Sequence, residues 1–224
     1  MILAILLISP ICADEPPKKL VALTFDDGPH KTHTKVILDT LDKYDVKATF
    51  FVVGTNAERF PDIVQYAADM GHEIGNHTYS HPNMKGISHS ELQAELSKNE
   101  DLLFSICGVR TKLFRPPCGE MSDAVSSITE ESGYKLVLWD VDTRDWEHRS
   151  KDAIVNSIKK NVKNGSVILM HDFIGGETHT PEALSEIIET LQKDGYEFVT
   201  VSELIYLDNY EIDHTGKQIK LNHA

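Results

Sequence analysis

The sequence predicts an α/β barrel on two observations. Strand-like and helix-like periods alternate along the chain, and the chemically unusual residues fall at the carboxyl ends of the strand-like runs. Alternation of this kind means crossover units and a parallel sheet, either closed into a barrel or open and doubly wound. A barrel gathers all its carboxyl ends on one face, whereas an open sheet gathers them only near its switch point. Five run ends carry such residues here, too many for one crevice, and 224 residues is an ordinary length for a single barrel.

The elements follow in order. Residues 1–13, MILAILLISPICA, are apolar, end in a small residue and are too short to span a bilayer. They read as a secretory signal cut after Ala13, a buried N-terminal strand being the alternative. Residues 14–206 then form one domain. Its strand-like runs are KLVALTF (19–25), KATFFVVG (47–54), HEIGN (72–76), TKLFRP (111–116), YKLVLWDV (134–141), GSVILMH (165–171) and YEFVTV (196–201). Between the first two, residues 31–44 place Val36, Ile37, Leu41 and Tyr44 at helical spacing, and between the second and third, residues 57–70 do the same with Phe60, Ile63, Val64 and Ala67. Residues 88–108 open on a serine cap and close on glycine. Segments 121–132, 150–163 and 181–194 complete the helices. The tail, 207–224, is polar and unpatterned, and is expected to be peripheral or disordered.

A net charge of −13 argues against nucleic acid or an anionic membrane as partner, since both attract clustered Lys and Arg. With the signal removed, Cys107 and Cys118 remain. Export permits a disulfide between them, and their spacing leaves the pairing open.

Asp26 and Asp27 follow the first run in LTFDDGPH, where two adjacent acids on an ideal strand would point apart. HTYSH (77–81) spaces His77 and His81 four apart, so that a helix-like turn aims both rings one way. Two histidines and one aspartate with an open position form a catalytic zinc arrangement. One aspartate then binds metal and the other is free to handle a proton. His171, after four apolar residues at a strand mouth, is a candidate acid that Asp145 would orient and charge. Arg115, held by the two following prolines, is a candidate partner for the proton-handling aspartate. Trp139 and Trp146 flank the end of the fifth run, as groove walls or as core.

Taken in order, TFDDGP, HTYSH, RPPCG, DTRDW and ILMH resemble the five motifs of the polysaccharide deacetylases, the NodB-homology family (carbohydrate esterase family 4), from about residue 18 to about residue 205. The resemblance implies a single distorted (β/α)7 barrel. It implies a metal-dependent hydrolase that removes N-acetyl groups from N-acetylglucosamine-containing glycans, peptidoglycan or chitin and its oligosaccharides. With the signal at residues 1–13 the enzyme is expected to be secreted, as a monomer that does not insert into membranes. Asp26 would be the general base, Asp27, His77 and His81 the ligands of one divalent ion, zinc first, with cobalt, nickel or manganese also accepted. Arg115 would orient Asp26, Asp145 would tune His171, and His171 would protonate the departing amine. Trp146 and Leu169 would line the acetyl pocket, and the backbone N–H of Cys118 would help hold the oxyanion. Cys118 itself departs from the family, which usually has an aromatic residue there. A silent glycan-binding module on the same fold, or an amidohydrolase of a small non-sugar amide, are the competing readings.

Overall fold

A computed structural model describes residues 19–208, 210–212 and 218–220. The expected signal segment lies outside the described residues. Strand β1 (Lys19–Asp26) is central and buried at every position after Lys19. A parallel strand covered on both faces reads as a continuous apolar run, which is why KLVALTF shows no polar alternation. One edge of β1 pairs with β7 (Ser166–His171) from Val21 to Asp26. The other edge is shared by β8 (Tyr196–Phe198), along Lys19–Val21, and β2 (Thr49–Val52), along Thr24–Asp26. Beyond β2 lie β3 (Glu73–Asn76), β4 (Leu113–Phe114) and β5 (Lys135–Leu136), and beyond β7 lies β6 (Val141–Asp142), all parallel. The sheet curls into a distorted (β/α)7 barrel.

The expected fifth strand, 134–141, is in two pieces. Its first half, β5, pairs with β4 and its second half, β6, with β7, so one broken strand spans the seam of the barrel. Side chains take the place of the missing ladder. Arg115 donates to the carbonyls of Val137 and Leu138, at 3.1 Å each, and the Asp140 carboxylate accepts from Ser166 Oγ and Val167 N.

Alternation on β1 sorts the core. Val21, Leu23 and Phe25 face outward onto Ile37, Leu41, Ile158, Leu184 and Ile188 of the surrounding helices. Leu20 and Ala22 face inward with Phe51, Val137 and Val167. The helices are α1 (His33–Lys43), α2 (Gly54–Arg59), α3 (Pro61–Asp69), α4 (His89–Cys107), α5 (Asp123–Ser132), α6 (Lys151–Asn161), α7 (Thr180–Lys193) and α8 (Val201–Asp208). Three depart from the sequence expectation. On α1 the buried face is Thr34, Ile37, Leu38 and Leu41, and Val36 is exposed. The helix expected over 57–70 is two, broken because Pro61 has no N–H to continue the ladder from α2 and instead starts α3. The last run ends early, and α8 begins at Val201, with Thr200 and Glu203 bonding reciprocally at its start. Val201 and Leu204 of α8 enter the inner cluster beside Leu20, closing the barrel at the end opposite the motif residues.

Past α8, β9 (Tyr210–Ile212) and β10 (Gln218–Lys220) pair antiparallel, apart from the barrel sheet. Among the described residues no helix is long and apolar enough to cross a membrane. Cys107 and Cys118 are both unpaired.

Candidate active site

Thr24 and Asp26 continue the inward face of β1 that Leu20 and Ala22 begin, so Asp26 enters the barrel mouth by simple alternation. Asp27 would then point outward. It does not, because its φ is 74°, a left-handed conformation that Asp adopts more readily than most residues. The chain turns back at once and both carboxylates serve one centre. Thr78 (φ 68°) and His81 (φ 54°) reverse the chain in the same way after β3. The turn is fixed by Asn76, whose Oδ1 accepts from Thr78 N. His77 and His81 are thereby brought to Asp27 Oδ1, with their Nε2 atoms at 3.3 and 3.2 Å.

The donor set fits a cation. His77 Nδ1 lies 2.6 Å from the carbonyl of Arg115. A carbonyl only accepts, so Nδ1 carries a proton, which leaves Nε2, the atom that faces Asp27, as the ring's ligating position. Asp27 Oδ1 is buried and has no hydrogen-bond donor. One oxygen and two ring nitrogens converging within 4.8 Å of one another make a three-ligand site. Burial alone would raise the Asp27 carboxyl, but His77 and His81 outweigh it and hold it well below the usual carboxylate range. His81 is raised in turn by Asp27.

Asp26 is 3% exposed and accepts from Arg115 Nη1 at 2.6 Å. Arg115 is wholly buried across the barrel mouth. The same Nη1 donates to Thr24 Oγ1 at 2.8 Å, and the guanidinium lies over the Phe51 ring, 4.1 Å from its centroid. Burial pushes Arg115 down and Asp26 opposes it. Across the mouth, His171 Nδ1 lies 2.8 Å from Asp145 Oδ1, while His171 N donates to Asp145 Oδ2 at 2.7 Å. Burial alone would lower His171, but the Asp145 carboxylate prevails and pushes it up to about 9. Asp142, by contrast, accepts from Arg144 N.

A pocket of about 440 Å³ lies between these groups. All the candidate residues except Arg115 and Asp145 line it, and those two stand behind Asp26 and His171. Cys118 sits at its edge with φ 57°, its thiol raised by burial and by Glu120 and Asp27. Trp146 is 48% exposed at the rim.

Trp139, which the sequence offers as a groove wall or as core, lines the pocket, as does Asp142. Three other contributors were missed in the sequence. Thr180 donates to Asp145 Oδ2 at 2.6 Å, and nothing local marks a helix-starting threonine as the partner of an acid 35 positions earlier. Thr24 does leave a signal, since a hydroxyl in an apolar buried run needs a partner. Asp172 is fully buried, and burial pushes it up to about 7.

Residues 13–137 match the polysaccharide deacetylase family. The chain belongs to that family. A peptidoglycan-N-acetylglucosamine deacetylase of Bacillus cereus is 44% identical over 188 residues, which cover 84% of this chain and 68% of that one. A crystal structure of a peptidoglycan N-acetylglucosamine deacetylase in complex with 4-naphthalen-1-yl-N-oxidanyl-benzamide is 44% identical. It superimposes with a TM-score of 0.81 over 84% of this chain and 88% of that one. A family 4 acetyl xylan esterase from Clostridium thermocellum in complex with a cobalt ion is 37% identical, with a TM-score of 0.81 over 88% of this chain and 95% of that one. As a family member the protein is a glycan deacetylase and a hydrolase of carbon–nitrogen bonds, and metal dependence is a general property of the family.

Proposed function

We propose that this deacetylase removes the N-acetyl group of N-acetylglucosamine in peptidoglycan at the cell envelope, which it reaches through the signal at residues 1–13. The observation that carries the reading is the meeting of three arrangements around one pocket: the Asp27–His77–His81 donor set, the Asp26–Arg115 pair and the His171–Asp145 pair. The relatives' action on peptidoglycan favours that glycan over chitin.

Asp27, His77 and His81 would hold one divalent ion, zinc by preference. Such an ion supplies Lewis acidity, easing deprotonation of water at neutral pH and drawing charge from a carbonyl oxygen. Asp26, held at one oxygen by Arg115, accepts the proton of the attacking water as its oxygen bonds to the acetamide carbon. The Cys118 N–H helps to carry the charge that develops on the carbonyl oxygen. His171, charged by Asp145, gives its proton to the sugar nitrogen as the carbon–nitrogen bond breaks, leaving free amine and acetate. Trp146 and Leu169 bound the methyl group.

Acetate release from purified peptidoglycan and from chitopentaose tests this, before and after chelation and with zinc restored. Release from peptidoglycan that falls with chelator and returns with zinc is expected. Release from chitopentaose alone would overturn the substrate. Release indifferent to chelation would overturn the metal.

A further inference from the structure

We propose that Asp172, with Thr34, is a positioning residue that braces the left-handed turn at Asp27 and so sets the affinity of the metal site. The inference rests on the metal-site reading above. A left-handed aspartate persists only where its surroundings over-determine it. On one side of the turn, Asn56 Nδ2 donates to the Asp27 carbonyl at 2.8 Å, and Val53 N to the Gly28 carbonyl at 3.0 Å. Asp172 supplies the other side. Its backbone N–H donates to the Asp26 carbonyl at 3.3 Å. Its carboxyl lies flat against Gly28, so that a Cβ on residue 28 would fall 1.9–2.3 Å from all three carboxyl atoms.

Gly28 is not among the residues with positive φ, so it is this carboxyl, and not the backbone conformation, that requires glycine there. Thr34 completes the brace. Its hydroxyl donates to Asp172 Oδ2 at 2.6 Å and accepts from His30 N at 2.7 Å, tying the far end of the loop to the same carboxyl. The Asp172 side chain thus touches the turn from behind while the ligand oxygen of Asp27 faces the pocket. Groups that stand behind metal ligands in this way are typically worth about 10–100-fold in metal affinity.

The test is cobalt(II) affinity by chelator competition, with the visible cobalt spectrum as a second readout and urea unfolding of the metal-free protein measured alongside. D172N and T34A are expected to bind cobalt about 10–100-fold more weakly than wild type, with an altered spectrum, and T34S to bind as wild type does. G28A is expected to weaken binding, and G28A/D172A to bind no more weakly than D172A, because the carboxyl that meets the new methyl is gone. D172N and T34A within twofold of wild type, or T34S as weak as T34A, would overturn the brace. Should D172N fail to fold, the T34A and T34S pair decides. A wild-type protein that binds no cobalt would overturn the metal site and the brace together, whereas a binding wild type with unaltered variants overturns the brace alone.

Discussion

The two aspartates at the end of β1 differ in what holds them. Asp26 is inside the barrel, fixed by Arg115, while Asp27 is turned back to meet His77 and His81. Their substitutions therefore separate. Asp26→Asn should lower turnover by about 10²–10⁴-fold, the range for a lost acid–base group, with metal still bound. His77→Ala should lose metal and turnover together. Metal content by emission spectroscopy, read beside acetate release, checks both, and a fully active Asp26 variant would remove that residue as base. Asp145 acts through charge. His171 is raised to about 9 from 6.5, so the stability it contributes is fully present below about pH 6.5 and is lost as pH rises through about 9. Asp145→Asn should flatten that fall in urea unfolding, and should move the basic limb of the activity profile down by about 1–3 pH units. The acids and histidines were legible because each ends a strand-like run, where a barrel displays side chains. Thr180 and Asp172 were not, since neither local pattern nor spacing says which distant group a buried hydroxyl or carboxyl will meet.

At the scale of elements, local chemistry was read well where it is complete in itself. α4 begins at the Ser88 cap with Glu91 three residues on, and ends at Gly108 in the left-handed region, as the sequence predicts. A Cβ on Gly108 would meet nothing within 4 Å, so only its backbone conformation resists substitution. Gly108→Ala should cost about 1–2 kcal/mol, the penalty for a left-handed residue with a side chain, seen as a lower urea midpoint at unchanged slope. α8 was not read: Thr200 and Glu203 carry a start signal, but the β-branched run before them masks it. The split of the fifth strand was not legible. Its cause is Arg115, just past β4, and the Asp140 side chain, and the run itself, YKLVLWDV, reads as one continuous strand.

For the whole molecule, Arg115 joins catalysis to architecture. It holds Asp26 and also takes the carbonyls at the seam between β5 and β6. Arg115→Ala should cost about 3–5 kcal/mol, because it leaves the Asp26 carboxylate buried and unpaired and strips the seam carbonyls of their donor. Urea titration of the variant checks this, and an unchanged midpoint would detach the seam from the guanidinium. The position of β1 has a further consequence, which concerns time. Its partners β7 and β8 come from the last third of the chain, so the central strand waits for them through most of synthesis. Pairing of such long range folds slowly. Were the proposed export signal to lead the chain, delayed closure would keep the polypeptide threadable until translocation is nearly complete, and the barrel would close on the side of the membrane where the proposed glycan lies.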